Sequence, residues 1–188
     1  MPDTELALIF LPTLRCNAAC EYCFEDRDAD VLPLDRLPRL VQAVLDYMDD
    51  EQHARLSVYW QGGEVFTLPP DWVRTAARAI RTAACDRGKE VAHYLQSNLV
   101  TLTDDWIELV FEVFDGSIGS SLDYPNLYRR AVGGSPEDFN KTWLRAYREV
   151  LDAGIEVGVI SVPNTATLDL GAERFYSYFV DECGCTDL

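Results

Sequence analysis

Hydrophobic positions along the chain follow two alternating rhythms. Residues 6–11 form an unbroken apolar run, as expected of a strand buried on both faces. Leu37, Leu40, Val41, Val44, Leu45 and Met48 then recur at helical spacing, behind Asp35 as the expected N-cap. A second strand is predicted over 56–60. Val73, Ala76, Ala77, Ile80 and Ala83 mark a second helix, opened by Pro70 and Asp71. A third strand is predicted over 91–95. Thr103 is the expected cap of a helix carrying Ile107, Val110 and Phe111, and residues 118–122 read as a fourth strand. The next helix has the fullest set of signals: Ser135 as N-cap, Pro136 in the first turn, Asp138 in the capping-box position and Gly154 just past the end. Phe139, Trp143, Tyr147, Val150 and Leu151 form its apolar stripe. A fifth strand is predicted over 155–162, and Phe175, Tyr178 and Phe179 face one side of a fifth helix before Gly184.

Strands alternating with helices in this way imply βαβ units and a parallel sheet. No repeat, low-complexity stretch or interdomain linker interrupts the alternation. A closed eight-stranded barrel takes about 250 residues, and this chain has 188. The predicted fold is therefore α/β, an open or partial TIM-type barrel of parallel βα units.

Composition narrows the possibilities. Nearly half the residues are hydrophobic, which is not a disordered composition. No apolar run approaches the roughly 20 residues of a membrane span. The first run is short and preceded by acids, so it reads as a strand and not as a signal peptide. A soluble, cytoplasmic protein is expected. Net charge is −16, with no basic patch, which argues against nucleic acid as a partner. The acidity reads as solubility or adaptation to salt; attraction of a cationic substrate segment or redox partner is the other reading. Six cysteines without an export signal do not suggest a disulfide framework.

Three of those cysteines carry the clearest chemistry. Residues 12–25 read PTLRCNAACEYCFE, a C-x3-C-x2-C pattern between the first strand and the first helix. Thiolates so close on one loop can converge on one inorganic centre. Iron–sulfur clusters are held by Cys thiolates, usually four. Three would leave one iron open to chelation by a small molecule. Structural zinc prefers four protein ligands, and no His lies close by, although spacing alone leaves zinc open.

The loop resembles the signature of the radical S-adenosylmethionine (SAM) superfamily, C-x3-C-x-aromatic-C after the first strand. Here it stands as Cys16, Cys20, Tyr22 and Cys23, followed by Phe24. The resemblance implies that Cys16, Cys20 and Cys23 hold a 4Fe–4S cluster and that Tyr22 lies beside the SAM adenine. It implies that the open iron binds the amino and carboxylate groups of SAM, whose reductive cleavage gives methionine and a 5′-deoxyadenosyl radical.

Further motifs follow in order. Gln61-Gly62-Gly63-Glu64 resembles the family's G-G-E-P, which holds the SAM amino group, with Val65 in place of proline. Two glycines would let a ligand approach the backbone, and Glu64 offers an anion to an ammonium. Gln96-Ser97-Asn98 resembles Q-T-N-G, with Ser97 and Leu99 departing from it. Asn98 then bonds either SAM or substrate, or else the loop backbone. Ser121-Leu122-Asp123 resembles S-L-D-G, with Tyr124 for glycine, and implies a contact of Ser121 with the SAM ribose or carboxylate. Arg130, or Arg129 because the register is ambiguous, matches an arginine that pairs with the SAM carboxylate; a surface salt bridge is the alternative. All four motifs fall at the carboxyl ends of successive strands, where α/β folds place ligands.

Other candidates are weaker. Cys85 is expected half-buried near a helix end, His93 packed within its strand and His53 solvated. Cys183 and Cys185 form a C-x-C pair with little to specify a metal.

The set of motifs most resembles the peptide- and protein-modifying branch, which includes anaerobic sulfatase maturases and many members with a SPASM or twitch domain. That implies hydrogen abstraction from a peptide or protein substrate and a flavodoxin- or ferredoxin-like electron donor. Family cores usually have six strands, and residues 183–188 stand where the sixth would begin. Residues 1–188 are thus expected to be a core truncated before strand six, without a SPASM or twitch domain: a fragment, or half of a split enzyme completed by a second polypeptide. A non-catalytic Fe–S or peptide-binding subunit, and a radical SAM enzyme for a small molecule, are the alternatives. No residue is assigned as general acid or base.

Overall fold

A computed structural model describes residues 4–26 and 28–188. Five strands form one sheet, β1 (Glu5–Phe10), β2 (Arg55–Trp60), β3 (Glu90–Ser97), β4 (Ser117–Ser121) and β5 (Glu156–Ile160), all parallel and in sequential order. Between them run α1 (Leu37–Asp50), α2 (Pro70–Cys85), α3 (Asp104–Val113) and α4 (Pro136–Asp152). The strands alternate as a one-side-covered sheet must. Leu56, Val58 and Trp60 of β2, and His93 and Leu95 of β3, are buried, whereas Tyr94 and Ile160 stay exposed on the other face. The buried faces join the apolar stripes of the helices in a single core. This is the open α/β barrel that the alternation predicted.

Caps differ from expectation at two helices. Arg36, not Asp35, holds the N-cap position of α1, with no side-chain cap bond; Pro38 in the first turn lacks one of the N–H groups a cap would serve. Thr103 occupies the N-cap of α3, but its side chain makes no cap bond. Ser135 caps α4 as predicted, its Oγ accepting from Asp138 N at 3.2 Å and donating to Asp138 Oδ2 at 2.9 Å.

The strand ends also shift. β3 runs on to Ser97, bringing the Gln96-Ser97-Asn98 segment to the end of the ladder. β5 stops at Ile160, because the Val162 N–H turns to the Asp123 carboxylate at 3.0 Å. Beyond β5 the single helix expected becomes three pieces. α5 (Thr165–Leu170), absent from the sequence reading, is capped by a reciprocal Asn164–Thr167 box; α6 (Ala172–Ser177) follows Gly171, whose φ is 85°. Tyr178 and Phe179 lie in a π-helical turn, Tyr178–Glu182. Asp187 then pairs with Gly158 in the parallel sense, and its carbonyl accepts from Val159 N at 2.9 Å.

His93 is packed as expected. Its Nδ1 accepts from Trp60 Nε1 at 3.0 Å, and burial with nearby Arg81 pushes its pKa down to about 4. Cys85 is exposed and not half-buried, and His53 is partly buried against Tyr47. Among the described residues no helix is long and apolar enough to cross a membrane.

Trp143 of α4 ties helix to sheet. It is fully buried, stacks on Tyr147 at 4.6 Å and donates from Nε1 to Ser120 Oγ at 2.9 Å. Trp143→Ala should cost about 3–5 kcal/mol in urea unfolding. Leu151→Ala, on the exposed end of the same stripe, should cost less than about 1 kcal/mol.

Candidate functional site

The site begins where the loops after β1 and β2 interlock. Gly63 N donates to Thr13 O at 3.0 Å and Glu64 N to Arg15 O at 2.8 Å, so the Gly-Gly-Glu turn lies directly on the backbone leading into Cys16. A Cβ on Gly63 would overlap the carbonyl oxygens of Leu14 and Arg15, and one on Gly62 would overlap that of Thr13. Gly62 also has a φ of 121°, a backbone conformation that glycine adopts without strain. The sequence reading gave these glycines to ligand approach. In the structure they let one loop approach another.

Glu64 is 3% exposed and surrounded by donors. Its Oε1 accepts from Phe66 N at 3.0 Å and Ser97 Oγ at 2.7 Å, and its Oε2 accepts from Asn98 N at 2.7 Å. Burial raises its pKa, and the three donors act against that shift. The carboxylate thereby joins the ends of β2 and β3. Asn98 is equally engaged: its Oδ1 accepts from Val100 N at 2.9 Å, and its Nδ2 donates to Asn17 Oδ1 in the cysteine loop at 2.7 Å. Leu99, where the related motif has glycine, is fully buried at a φ of 61°.

A cavity of about 270 Å³ opens between these loops. Cys16, Cys20, Gly62, Gly63, Glu64, Asn98 and Ser121 line it, together with Gln61, Gln96, Ser97 and Phe24. Cys23 and Tyr22 are outside its lining; Cys23 is exposed, and Tyr22 turns to Asp123. The arginine is Arg129, 8% exposed, with Nη1 donating to Ser121 Oγ at 2.8 Å. Arg130 instead pairs with Glu21 on the surface. Asn126 sets this choice, its Oδ1 accepting from Arg129 N at 2.9 Å and its Nδ2 donating to Arg129 O at 2.8 Å.

Charge is arranged unevenly around the thiols. Burial raises the pKa of Cys16 and Cys20, and Arg129 opposes the shift at Cys20. Burial would lower the pKa of Arg129, but Asp123, Tyr22 and Cys20 outweigh it and the net shift is upward. The guanidinium stays charged. Burial raises the pKa of Tyr22 as well, so its phenol remains a hydrogen-bond donor.

The donor set fits a cluster. Three soft thiols, none in a disulfide, stand on one loop with a cavity beside them. Tetrahedral zinc, with Zn–S of about 2.3 Å, needs its sulfurs within about 4 Å of one another. Among the described residues no fourth thiol or imidazole joins these three, so the loop offers three ligands and not the four of structural zinc. A cubane makes no such demand, because each thiolate takes its own iron.

An open parallel α/β barrel with a three-thiol loop at the carboxyl ends of its strands defines a cluster-bearing cofactor fold. The chain belongs to the radical SAM superfamily, whose family model matches residues 10–169. Its cofactors are a 4Fe–4S cluster and SAM. It is 26% identical over 179 residues to a serine-type anaerobic sulfatase-maturating enzyme of Bacteroides thetaiotaomicron, covering 87% of this chain and 40% of that protein. It is 31% identical over 123 residues to an uncharacterized protein of Synechocystis, covering 63% and 30%. The fold matches native anSMEcpe with bound AdoMet and Cp18Cys peptide at a TM-score of 0.79 and 22% identity, over 95% of this chain and 48% of that one. Streptococcus suis SuiB matches more loosely, at a TM-score of 0.55 and 15% identity, over 97% and 38%. The chain thus spans less than half the length of these relatives.

Ser97, Asn126 and Asp123 are the supporting residues to which the sequence reading gave no role. Ser97 and Asp123 stood inside quoted motifs; Asn126 carried only the general turn signal of an Asx residue.

Gly63→Ala should destabilise the chain by about 1–3 kcal/mol, through overpacking of the two loops. Gly134→Ala, where a Cβ meets nothing closer than 3.6 Å, should stay within about 0.5 kcal/mol. Urea midpoints of the metal-free proteins measure both.

Proposed function

We propose that this chain is the core of a radical SAM enzyme that acts on a peptide or protein, with Cys16, Cys20 and Cys23 as the cluster ligands. The observation that carries the reading is convergence. Four motifs from four strand ends meet around one cavity beside two of the three thiols. Held by Cys16, Cys20 and Cys23, a 4Fe–4S cluster would supply the one-electron chemistry that cleaves SAM reductively and leads to hydrogen abstraction from a substrate carbon.

The chain's own residues supply position and charge. Arg129 offers a fixed guanidinium fork to the SAM carboxylate, with Ser121 beside it. Glu64 Oε2 has one donor, Asn98 N, and keeps a lone pair for the SAM ammonium. Tyr22, between Cys20 and Cys23 in sequence, would lie beside the adenine. The interlocked glycines and the buried Glu64 clamp hold the cavity wall in place before SAM arrives, which limits the ordering cost of binding.

A peptide substrate is supported by likeness to the sulfatase-maturating enzyme and to a peptide-bound fold neighbour. A flavodoxin- or ferredoxin-like protein would deliver the electron.

Anaerobic reconstitution with iron, sulfide, reductant and SAM tests the reading. Formation of 5′-deoxyadenosine is expected, together with loss of cluster absorbance in each of Cys16→Ser, Cys20→Ser and Cys23→Ser. Arg129→Lys should weaken SAM binding about tenfold or more, the loss of one charge-assisted fork. Arg130→Lys should change it less than about threefold. A fully loaded cluster that gives no 5′-deoxyadenosine would reject the catalytic reading in favour of a binding subunit.

A further inference from the structure

Asp123 has no part in the chemistry proposed above, yet it is built into the site more firmly than most residues that do. It is 2% exposed. Its carboxylate gathers three segments far apart in sequence. Oδ2 accepts from the Tyr22 hydroxyl at 2.5 Å, and Oδ1 accepts from Val162 N, just beyond β5, at 3.0 Å. Arg129 lies against both oxygens, at 3.4 Å from Nε and 3.4 Å from Nη2.

The distances divide the carboxylate's work. The contacts to Tyr22 and Val162 are within hydrogen-bond range, and those to Arg129 are long for a charge-assisted fork. Arg129 is thus neutralised by Asp123 without being used up by it. Its Nη1 reaches Ser121 Oγ at 2.8 Å, at the cavity. Tyr22 in turn is one residue from Cys23 and two from Cys20, and the Arg129 guanidinium stands 5.7 Å from its ring centroid. One carboxylate therefore sets both the aromatic residue of the cysteine loop and the arginine of the cavity.

We infer that Asp123 is a positioning residue for the cofactor site, acting through Tyr22 on the cysteine loop and through Arg129 on the bound carboxylate. It fixes the two against one another before either cofactor is present. This rests on the cofactor reading of the same cavity. Chemically, the ligand held through Arg129 is the carboxylate of an amino acid moiety, and the group steadied through Tyr22 is the loop that bears the thiolates.

The test uses Asp123→Asn, Asp123→Ala and Tyr22→Phe in the full chain. In the metal-free proteins, Asp123→Ala and Tyr22→Phe should each raise amide hydrogen exchange across residues 16–25, with α2 and α3 unchanged. In the reconstituted proteins, Asp123→Ala should weaken SAM binding by calorimetry about 10–100-fold, the usual cost of removing a group that orients a cofactor's ligands. Asp123→Asn keeps the size and one acceptor, but removes the charge. It should raise the cluster midpoint potential, because reduction adds an electron near one fewer negative charge; Tyr22→Phe should leave the potential unchanged. The effects of Asp123→Ala and Tyr22→Phe on SAM affinity should be less than additive, since both remove the contact between Asp123 and Tyr22. Wild-type exchange in the loop, or an unchanged potential and SAM affinity in all three variants, would overturn the inference while leaving the cofactor reading intact. Failure of the wild-type chain to load a cluster or bind SAM would instead remove that reading, and this inference with it.

Discussion

The Glu64 carboxylate is the constraint on which the site depends. It sits 3% exposed among three donors. A buried carboxylate is costly unless its oxygens are satisfied, and only the native arrangement of the turn after β2 against the end of β3 satisfies these. Phe66 N comes from the turn after β2, Ser97 Oγ and Asn98 N from the end of β3, and Glu64's own N–H holds Arg15 O at the entrance to the cysteine loop. Parting the turn after β2 from the end of β3 strands a charge in the core. The donors are all N–H or O–H, so the arrangement suits the ionised form. Burial pushes the pKa up, which means that protonation would relieve desolvation but leave one donor facing a hydroxyl.

That clamp explains why the glycines precede it. The turn must press against Leu14 and Arg15 closely enough for the Glu64 N–H to reach a carbonyl at 2.8 Å, and a side chain at Gly63 would occupy the same space. The first and second loops are therefore one unit, and Asn98 adds the third through Asn17 at 2.7 Å. On the other side of the cavity Ser121, Asp123 and Arg129 do the same for the end of β4, with Tyr22 as their link to the cysteine loop. The cysteine loop is gripped from both sides by groups at the carboxyl ends of parallel strands. This is where such folds collect ligands, because only there do successive loops lie side by side.

The helical and strand periodicities were legible because burial alone writes them: α4 shows its stripe, its cap and its terminating glycine in plain sequence. The end of the chain was not. Phe175, Tyr178 and Phe179 suggest a single helix face, but Gly171 at a φ of 85° divides the segment, and Tyr178 leaves helical register to stack on Tyr124 at 3.6 Å. Tertiary stacking overrode local period. The cysteine spacing announced its chemistry, since thiolates on one short loop have few uses. The choice between Arg129 and Arg130 was beyond spacing. Two adjacent residues in an irregular loop face opposite ways, and it is the Asn126 side chain, bonded to both backbone groups of Arg129, that decides which faces in. The glycines allow a close approach of backbone to backbone, and both also line the cavity beside the thiols.

The sheet's open face gives the site its remaining geometry. A second cavity of about 360 Å³ lies over that face, with the stacked rings of Tyr59 and Tyr94, 4.8 Å apart, among its walls. Gln61 and Gln96 line both this cavity and the one beside the thiols. Gln96 can lie flat there because its neighbour on β4 is Gly119, where any Cβ would overlap the Gln96 amide. Gly158 on β5 leaves similar room under the Asp187 carboxylate. Small residues on adjacent strands thus hollow the sheet at the level where two amides bridge from one cavity to the other. The parallel register that sets Gln96 against Gly119 is therefore what brings the two cavities side by side.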